Sequence, residues 1–201
     1  MSDPAGTASA SASGPISNLP PLHRYITGHD PASGTAIVVS STPLAWQPHD
    51  DNQLAFSVAY ATTALPADLN DDADLRAHAA VAARVDAGTM GLVQPGGTVL
   101  RAVDFAPGYA CGMHRTQSLD YGIVLEGEVD MVLDSGATAY RLRRGDVAVQ
   151  RATQHQWVNR SRTEWARMMF VLQHVPPLVV GGREMKEDLG TVEGSVPPSG
   201  N

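Results

Sequence analysis

From Thr98 onward the chain repeats a pattern that few folds can satisfy: short runs alternating in polarity every second residue, separated by glycine-bearing reversals. Successive side chains of a β-strand point to opposite faces, so each run sorts its residues onto two sides. Thr98 to Phe105 places Val99, Arg101, Val103 and Phe105 on one face and Leu100, Ala102 and Asp104 on the other. Short strands are expected next over 114–116, 121–125, 129–133, 139–142, 147–150, 156–158 and 166–172. Glu126-Gly127-Glu128, Asp134-Ser135-Gly136 and Arg144-Gly145-Asp146 punctuate them, with glycine available where a tight reversal needs positive φ. Many short strands joined in this way fold as a sandwich or a barrel.

The stretch before Gly97 is less regular. Strands are expected over 23–27 and 35–39, around a turn at 28–34, and over 54–60. Pro43 and Pro48 frame Trp46 in an extended loop. Residues 66–74 form an acidic loop, and the Ala-rich 75–85 allows one or two helical turns with Asp72 or Asp74 as N-cap. Gly88, Gly91 and Pro95-Gly96-Gly97 stop a longer helix. The resulting organisation is a mobile Ser/Ala/Gly/Pro-rich tail over 1–20, strands and loops packing on the barrel over 21–97, the barrel over 98–180, and a loosely ordered tail over 181–201.

Composition removes several classes of function. A chain of 201 residues, 43% of them hydrophobic, buries one good core. Its net charge of -7 and scattered Lys and Arg speak against nucleic acid, because phosphates require clustered cations. The single cysteine, Cys111, leaves no internal disulfide, and a small buried hydrophobe is its commonest role. Neither a signal peptide nor a membrane-spanning run is visible, so a soluble cytoplasmic protein with no membrane partner is expected.

Two segments concentrate the chemistry: 108–127, GYACGMHRTQSLDYGIVLEG, and 145–159, GDVAVQRATQHQWVN. His114 and Thr116, two apart, share a face, as do His155 and Trp157. Asp120, across the short 117–119 link, can return a carboxylate to the same interior. Burying His114, Thr116, Asp120 and His155 together without a use costs stability. Three readings stay open: a two-His, one-carboxylate metal site on His114, Asp120 and His155; a metal-free acid–base site on the same residues; or polar groups merely satisfied in a core. Arg151 sits at the rim before His155, able to clamp an anionic or phenolic oxygen or to pair with Asp120 or Asp146. Trp157 offers a flat wall. Met169, beside Met168 and Phe170 on the last strand, offers soft apolar lining.

These two segments resemble the paired motifs of the cupin superfamily. The spacing of the first motif holds at Gly108, His114, Thr116, Asp120 and Gly127, with Thr116 where the family has a second His and Asp120 where it has Glu. The second keeps Gly145, His155 and Asn159, has Gln150 and Ala152 in place of Pro and Gly, and is one residue short. The resemblance implies an all-β, jelly-roll cupin barrel, with Fe(II), Zn or Mn where a metal is held, and homodimers formed through sheet edges and N-terminal strands. The HRT…LDY wording is similar to single-domain cupins of microbial, notably fungal, natural-product pathways. That narrower likeness implies dehydration, oxidoreduction, decarboxylation or pericyclic chemistry on polyketide-like aromatics. Together the residues and the resemblance lead us to expect a small-molecule enzyme acting on a hydroxylated polyketide-like substrate by acid–base chemistry. Its sharpest form is dehydration with control of a following cyclisation. A metal-dependent oxidoreductase or decarboxylase and a non-catalytic metabolite binder are the alternatives.

Overall fold

The computed structural model describes residues 16–136, 138–190 and 196–200. Alternation decides the architecture. Strands β1 (His23–His29) and β2 (Ala36–Pro43) form a hairpin. Then come β3 (Gln47–His49), β4 (Leu54–Thr62) and one helix, α1 (Ala73–Asp86). The barrel proper follows as β5 (Thr98–Phe105), β6 (Ser118–Glu126), β7 (Glu128–Leu133), β8 (Ala139–Arg143), β9 (Val147–Arg151), β10 (His155–Val158) and β11 (Ala166–His174). A short hairpin, β12 (Leu178–Val180) with β13 (Arg183–Met185), comes last. The order β3-β4-β5-β11-β6-β9 makes one six-stranded antiparallel sheet, and β10-β7-β8 makes a second of three strands. Gly127 and Gly145 hold φ of 73° and 90° where the chain reverses between strands, a region closed to most side chains.

The two sheets enclose one core, in which Val103, Val124, Met168 and Phe170 of the large sheet meet Val129, Leu142 and Trp157 of the small one. This is the expected all-β jelly-roll barrel. β3 and β4 form no separate layer; they extend the barrel's own sheet, β4 pairing with β5 from Leu54↔Phe105 to Thr62↔Thr98.

The outer face of that sheet carries a second apolar cluster: Leu44, Trp46, Ala55, Ala59 and Ala102, with Ile16, Leu22, Leu100 and Met169 against it. A buried ion pair pins the cluster. Arg167 grips Asp104 through two bonds, Nε–Oδ1 at 2.5 Å and Nη2–Oδ2 at 2.7 Å. Arg167 also lies 4.8 Å from the Trp46 ring and donates to the Pro20 carbonyl at 2.5 Å, while the Ser17 hydroxyl donates to Asp104. Of the tail expected to be mobile over 1–20, residues 1–15 lie outside the described residues, whereas Ile16 to Pro20 are fastened by this buried charge.

Two other departures have physical causes. The helix is longer than one or two turns, because Val81 buries one face and His78 stacks on Tyr60 at 4.5 Å; packing outweighs the absence of a cap, Asp72 being left-handed with no side-chain bond. Within the tail expected to be loose over 181–201, β13 is paired and Val196 and Ser199 are buried. Ser199 holds its place through Glu187, whose Oε2 accepts its N–H at 2.8 Å and Oε1 its hydroxyl at 2.5 Å. Among the described residues no helix is long and apolar enough to cross a membrane.

Candidate active site

Two imidazoles form the floor of the site. The segment before β6 is stitched to β10 by reciprocal backbone bonds between His114 and His155, both at 2.9 Å, which bring the ring centroids to 4.4 Å. Each ring is oriented by the same local device. Nδ1 of His114 lies 2.9 Å from the Gly112 carbonyl, and Nδ1 of His155 lies 2.9 Å from that of Thr153. A carbonyl only accepts, so each Nδ1 carries the proton and each Nε2 keeps its lone pair in the neutral ring. Burial lowers the affinity of both rings for a further proton. His155, deeper and beside His114, is pushed down to about 3 by that burial and by repulsion from a charged His114. Contact between the two buried rings disfavours protonating both at once.

Asp120 provides the acid. Because β6 begins at Ser118, the carboxylate projects from a strand and not from a link, opposite Gln150 of β9 and Leu172 of β11. Thr116 donates its hydroxyl to Oδ2 at 3.0 Å and Ser118 donates to Oδ1 at 2.5 Å. Burial dominates and lifts the pKa to about 6, against the opposing pull of the two hydroxyl bonds and the charge of Arg101. A carboxyl group with that value exchanges protons near neutrality.

These groups share one cavity, of about 70 Å³. Its walls are mostly apolar: Leu54, Phe56, Phe105, Trp157, Phe170 and Leu172 among them. Trp157 stands edge-on to His155 at 5.3 Å and packs against Phe170 at 5.5 Å, which fixes both the ring and the wall. Cys111 also faces the cavity. It accepts the Trp157 N–H at 3.2 Å, and burial raises its thiol to about 12, so it behaves as a small apolar group.

His114, Thr116, Asp120, His155 and Trp157 all line this one cavity, as the spacing predicts. Arg151 does not: on β9 the inward positions are Ala148 and Gln150, which leaves Arg151 exposed on the outer face. Met169 is likewise displaced, packing in the outer cluster with Leu100 and Ala102 while Phe170 and Leu172 wall the cavity. Asn159, a motif residue, ties the backbone together, its amide reaching the carbonyls of Phe105, Ala106 and Glu164. Several lining residues were missed, among them His49, Asp50, Leu92 and Arg101. Arg101 is 4% exposed within the cavity wall, and its period-two phase with Val99, Val103 and Phe105 already placed it on the inward face.

The resemblance implies a metal on His114, Asp120 and His155, and the donor geometry does not supply that set. Among the described residues no three His, Cys, Asp or Glu side chains are grouped to hold an ion. Each oxygen of Asp120 accepts one hydroxyl bond, from Thr116 and from Ser118.

No family model matches the chain. Curated relatives do. The chain is 43% identical over 180 residues to phomopsin biosynthesis cluster protein D of Diaporthe leptostromiformis, covering 89% of this chain and 92% of that one. It is 37% identical over 180 residues to the cupin-domain-containing oxidoreductase fogC of Aspergillus ruber, covering 89% and 85%. Among solved structures, a Cupin 2 conserved barrel domain protein from Salinispora arenicola matches 39% of this chain and 64% of its own at 25% identity and a TM-score of 0.35. With the jelly-roll barrel and the converging motif residues, the likeness to the curated relatives shows that the chain belongs to the cupin-domain family of these fungal proteins.

Proposed function

We propose that this cupin is an enzyme of secondary metabolism that dehydrates a hydroxylated, polyketide-like substrate within the barrel and shapes the product for cyclisation. The observation that carries the reading is the convergence of a proton-holding carboxyl group and two neutral imidazoles on one apolar cavity. In a β-hydroxy carbonyl compound, Nε2 of His114 removes a proton from the carbon between the two functions. The electrons of that C–H bond become the new C=C bond. The C–O bond breaks as Asp120, in its acid form, protonates the departing hydroxyl, and water leaves. Asp120 ends as carboxylate and His114 as imidazolium; return of one proton between them resets the site. His155 stays neutral and holds His114 in place by a tilted ring contact and by the paired backbone bonds. Apolar walls keep bulk water from the unsaturated product, and a fixed geometry for ring closure lowers the barrier by several kcal/mol.

The test needs no knowledge of the natural substrate. Simple β-hydroxy ketones are incubated with the protein in deuterated water, and both loss of water and deuterium entry at the acidic carbon are followed by mass spectrometry. Expected are both signals in the wild type, neither in Asp120→Asn or His114→Ala, with folding checked by circular dichroism. Full turnover in both variants refutes the mechanism.

A second reading rests on relatives that are named oxidoreductases. What favours it is the pair of Nε2 lone pairs beside an enclosed cavity, donors that metal ions take. Elemental analysis separates the two: bound metal that a chelator removes together with activity supports the second reading and refutes the first. A homodimer belongs to the proposal as well, supported by the exposed apolar side chains of Val38 and Val39 on β2 and Val147 and Val149 on β9. Sedimentation equilibrium tests it, and a monomer at working concentration would rule it out.

A further inference from the structure

Among the described residues the barrel holds two buried guanidinium groups, and they are treated differently. Arg167 is met by Asp104 in a two-bond fork and by the Pro20 carbonyl, so its charge is balanced where it stands. Arg101 has no such partner. Its Nη2 donates to the Gly91 carbonyl at 3.0 Å and its guanidinium lies 4.9 Å from the Phe56 ring. Its Nε is buried with no acceptor. Among the described residues no carboxylate lies within ion-pair distance; Asp120 acts on it only through the field while bonding to Thr116 and Ser118. A carbonyl and an aromatic face offset part of the desolvation of a cation, but neither neutralises it. Burial brings Arg101 down to about 10, so it remains charged at neutral pH.

Position gives this imbalance a meaning. Arg101 forms part of the wall of the cavity that holds His114, Asp120 and His155. It also borders a second, adjoining space lined by Gln47, Val58, Val85 and Met90. An uncompensated donor group in a largely apolar cavity is the arrangement that recognises a planar oxyanion, which accepts from a guanidinium through parallel bonds. We infer that Arg101 is the recognition residue of this cavity and that its ligand carries a planar oxyanion, a carboxylate or an enolate, on an otherwise apolar body. The role that the sequence suggests for Arg151 thus falls to Arg101. The assignment rests on the proposed acid–base site only for which end of the ligand reacts; binding itself requires neither His114 nor Asp120.

The experiment is calorimetric titration of the full chain with cinnamate, with its neutral isostere cinnamamide, and with dimedone as the enolate. Expected is saturable binding of cinnamate to wild type at least tenfold tighter than cinnamamide. Arg101→Gln should lose that tenfold preference while Arg151→Gln keeps it. Dimedone binding alongside cinnamate extends the ligand class to enolates; cinnamate alone narrows it to carboxylates. The comparison of cinnamate with cinnamamide in wild type stands even where Arg101→Gln fails to fold. Equal binding of acid and amide, no saturable binding of either anion to wild type, or undiminished preference in Arg101→Gln overturns the inference. The two proposals fail separately. Anion selectivity that survives in Asp120→Asn, with no turnover of any hydroxy ketone by wild type, supports this inference and sinks the dehydratase; turnover without anion selectivity does the reverse.

Discussion

Replacing Asp120 by Asn should make the protein more stable and inactive. The carboxyl group is 3% exposed, and burial moves its pKa from 3.8 to about 6. The sign follows from proton counting. Between those two values the folded chain binds more protons at Asp120 than the unfolded chain does, so stability falls as pH rises through the window and is flat above it. At about 1.4 kcal/mol per pKa unit, the ionised carboxylate costs the fold roughly 3 kcal/mol at pH 8. Asn is neutral at every pH and nearly isosteric, and the Thr116 and Ser118 hydroxyls can rotate to accept from its amide. The variant should therefore gain up to about 3 kcal/mol at pH 8, or roughly 6–12 °C in Tm for a domain of this size. The gain should shrink to about half near pH 5, where folded wild type is already largely protonated. Urea denaturation of both proteins at pH 5, 6.5 and 8 measures this. A variant less stable than wild type at pH 8, or a gap that ignores pH, would refute the reasoning.

Other consequences are simpler to state. Asp104→Ala leaves Arg167 buried without its counter-charge and should cost about 3–5 kcal/mol, whereas exposed Arg151→Ala should stay within about 0.5 kcal/mol by the same denaturation assay. Cys111 should resist iodoacetamide at pH 8 in the folded protein and react fully once unfolded; native labelling at the rate of a free thiol would contradict its raised pKa. In Gly122→Ala the new methyl would stand 2.8 Å from Cε1 of Phe170 and 3.3 Å from Cε of Met168. The ring that walls the cavity must shift, at about 1–3 kcal/mol, and cinnamate affinity should change with it; unchanged stability and affinity would argue against that wall.

Period-two alternation made the barrel legible, because each strand from Thr98 onward has to present one face to a core. β5 runs over the expected 98–105 without change. The motif spacing likewise brought His114, Thr116, Asp120 and His155 into one cavity. What escaped was whatever depends on the partner of a residue. Arg101 had the correct phase for an inward position, yet a charged side chain on a strand reads as solvated until something is seen to cover it. Arg151 was placed by its nearness to His155 and not by its phase on β9, while Met169 lies one step from the inward Met168 and Phe170, and one step exchanges inside for outside. The order of Ile16 to Pro20 was illegible because its cause, the Asp104–Arg167 pair, lies some 85 to 150 residues further along the sequence.

The wall of the cavity is not made by the barrel alone. Val196 contributes to it, and Ser199 is packed so closely on Gly91 that a methyl group there would sit 2.6 Å from the Ser199 backbone. During synthesis this part of the wall leaves the ribosome after every barrel strand. The strands of the barrel are thus all made before the last piece of the receptor wall is added. Selection can in consequence retune what the receptor admits by editing a short late segment, leaving the costly β-framework untouched.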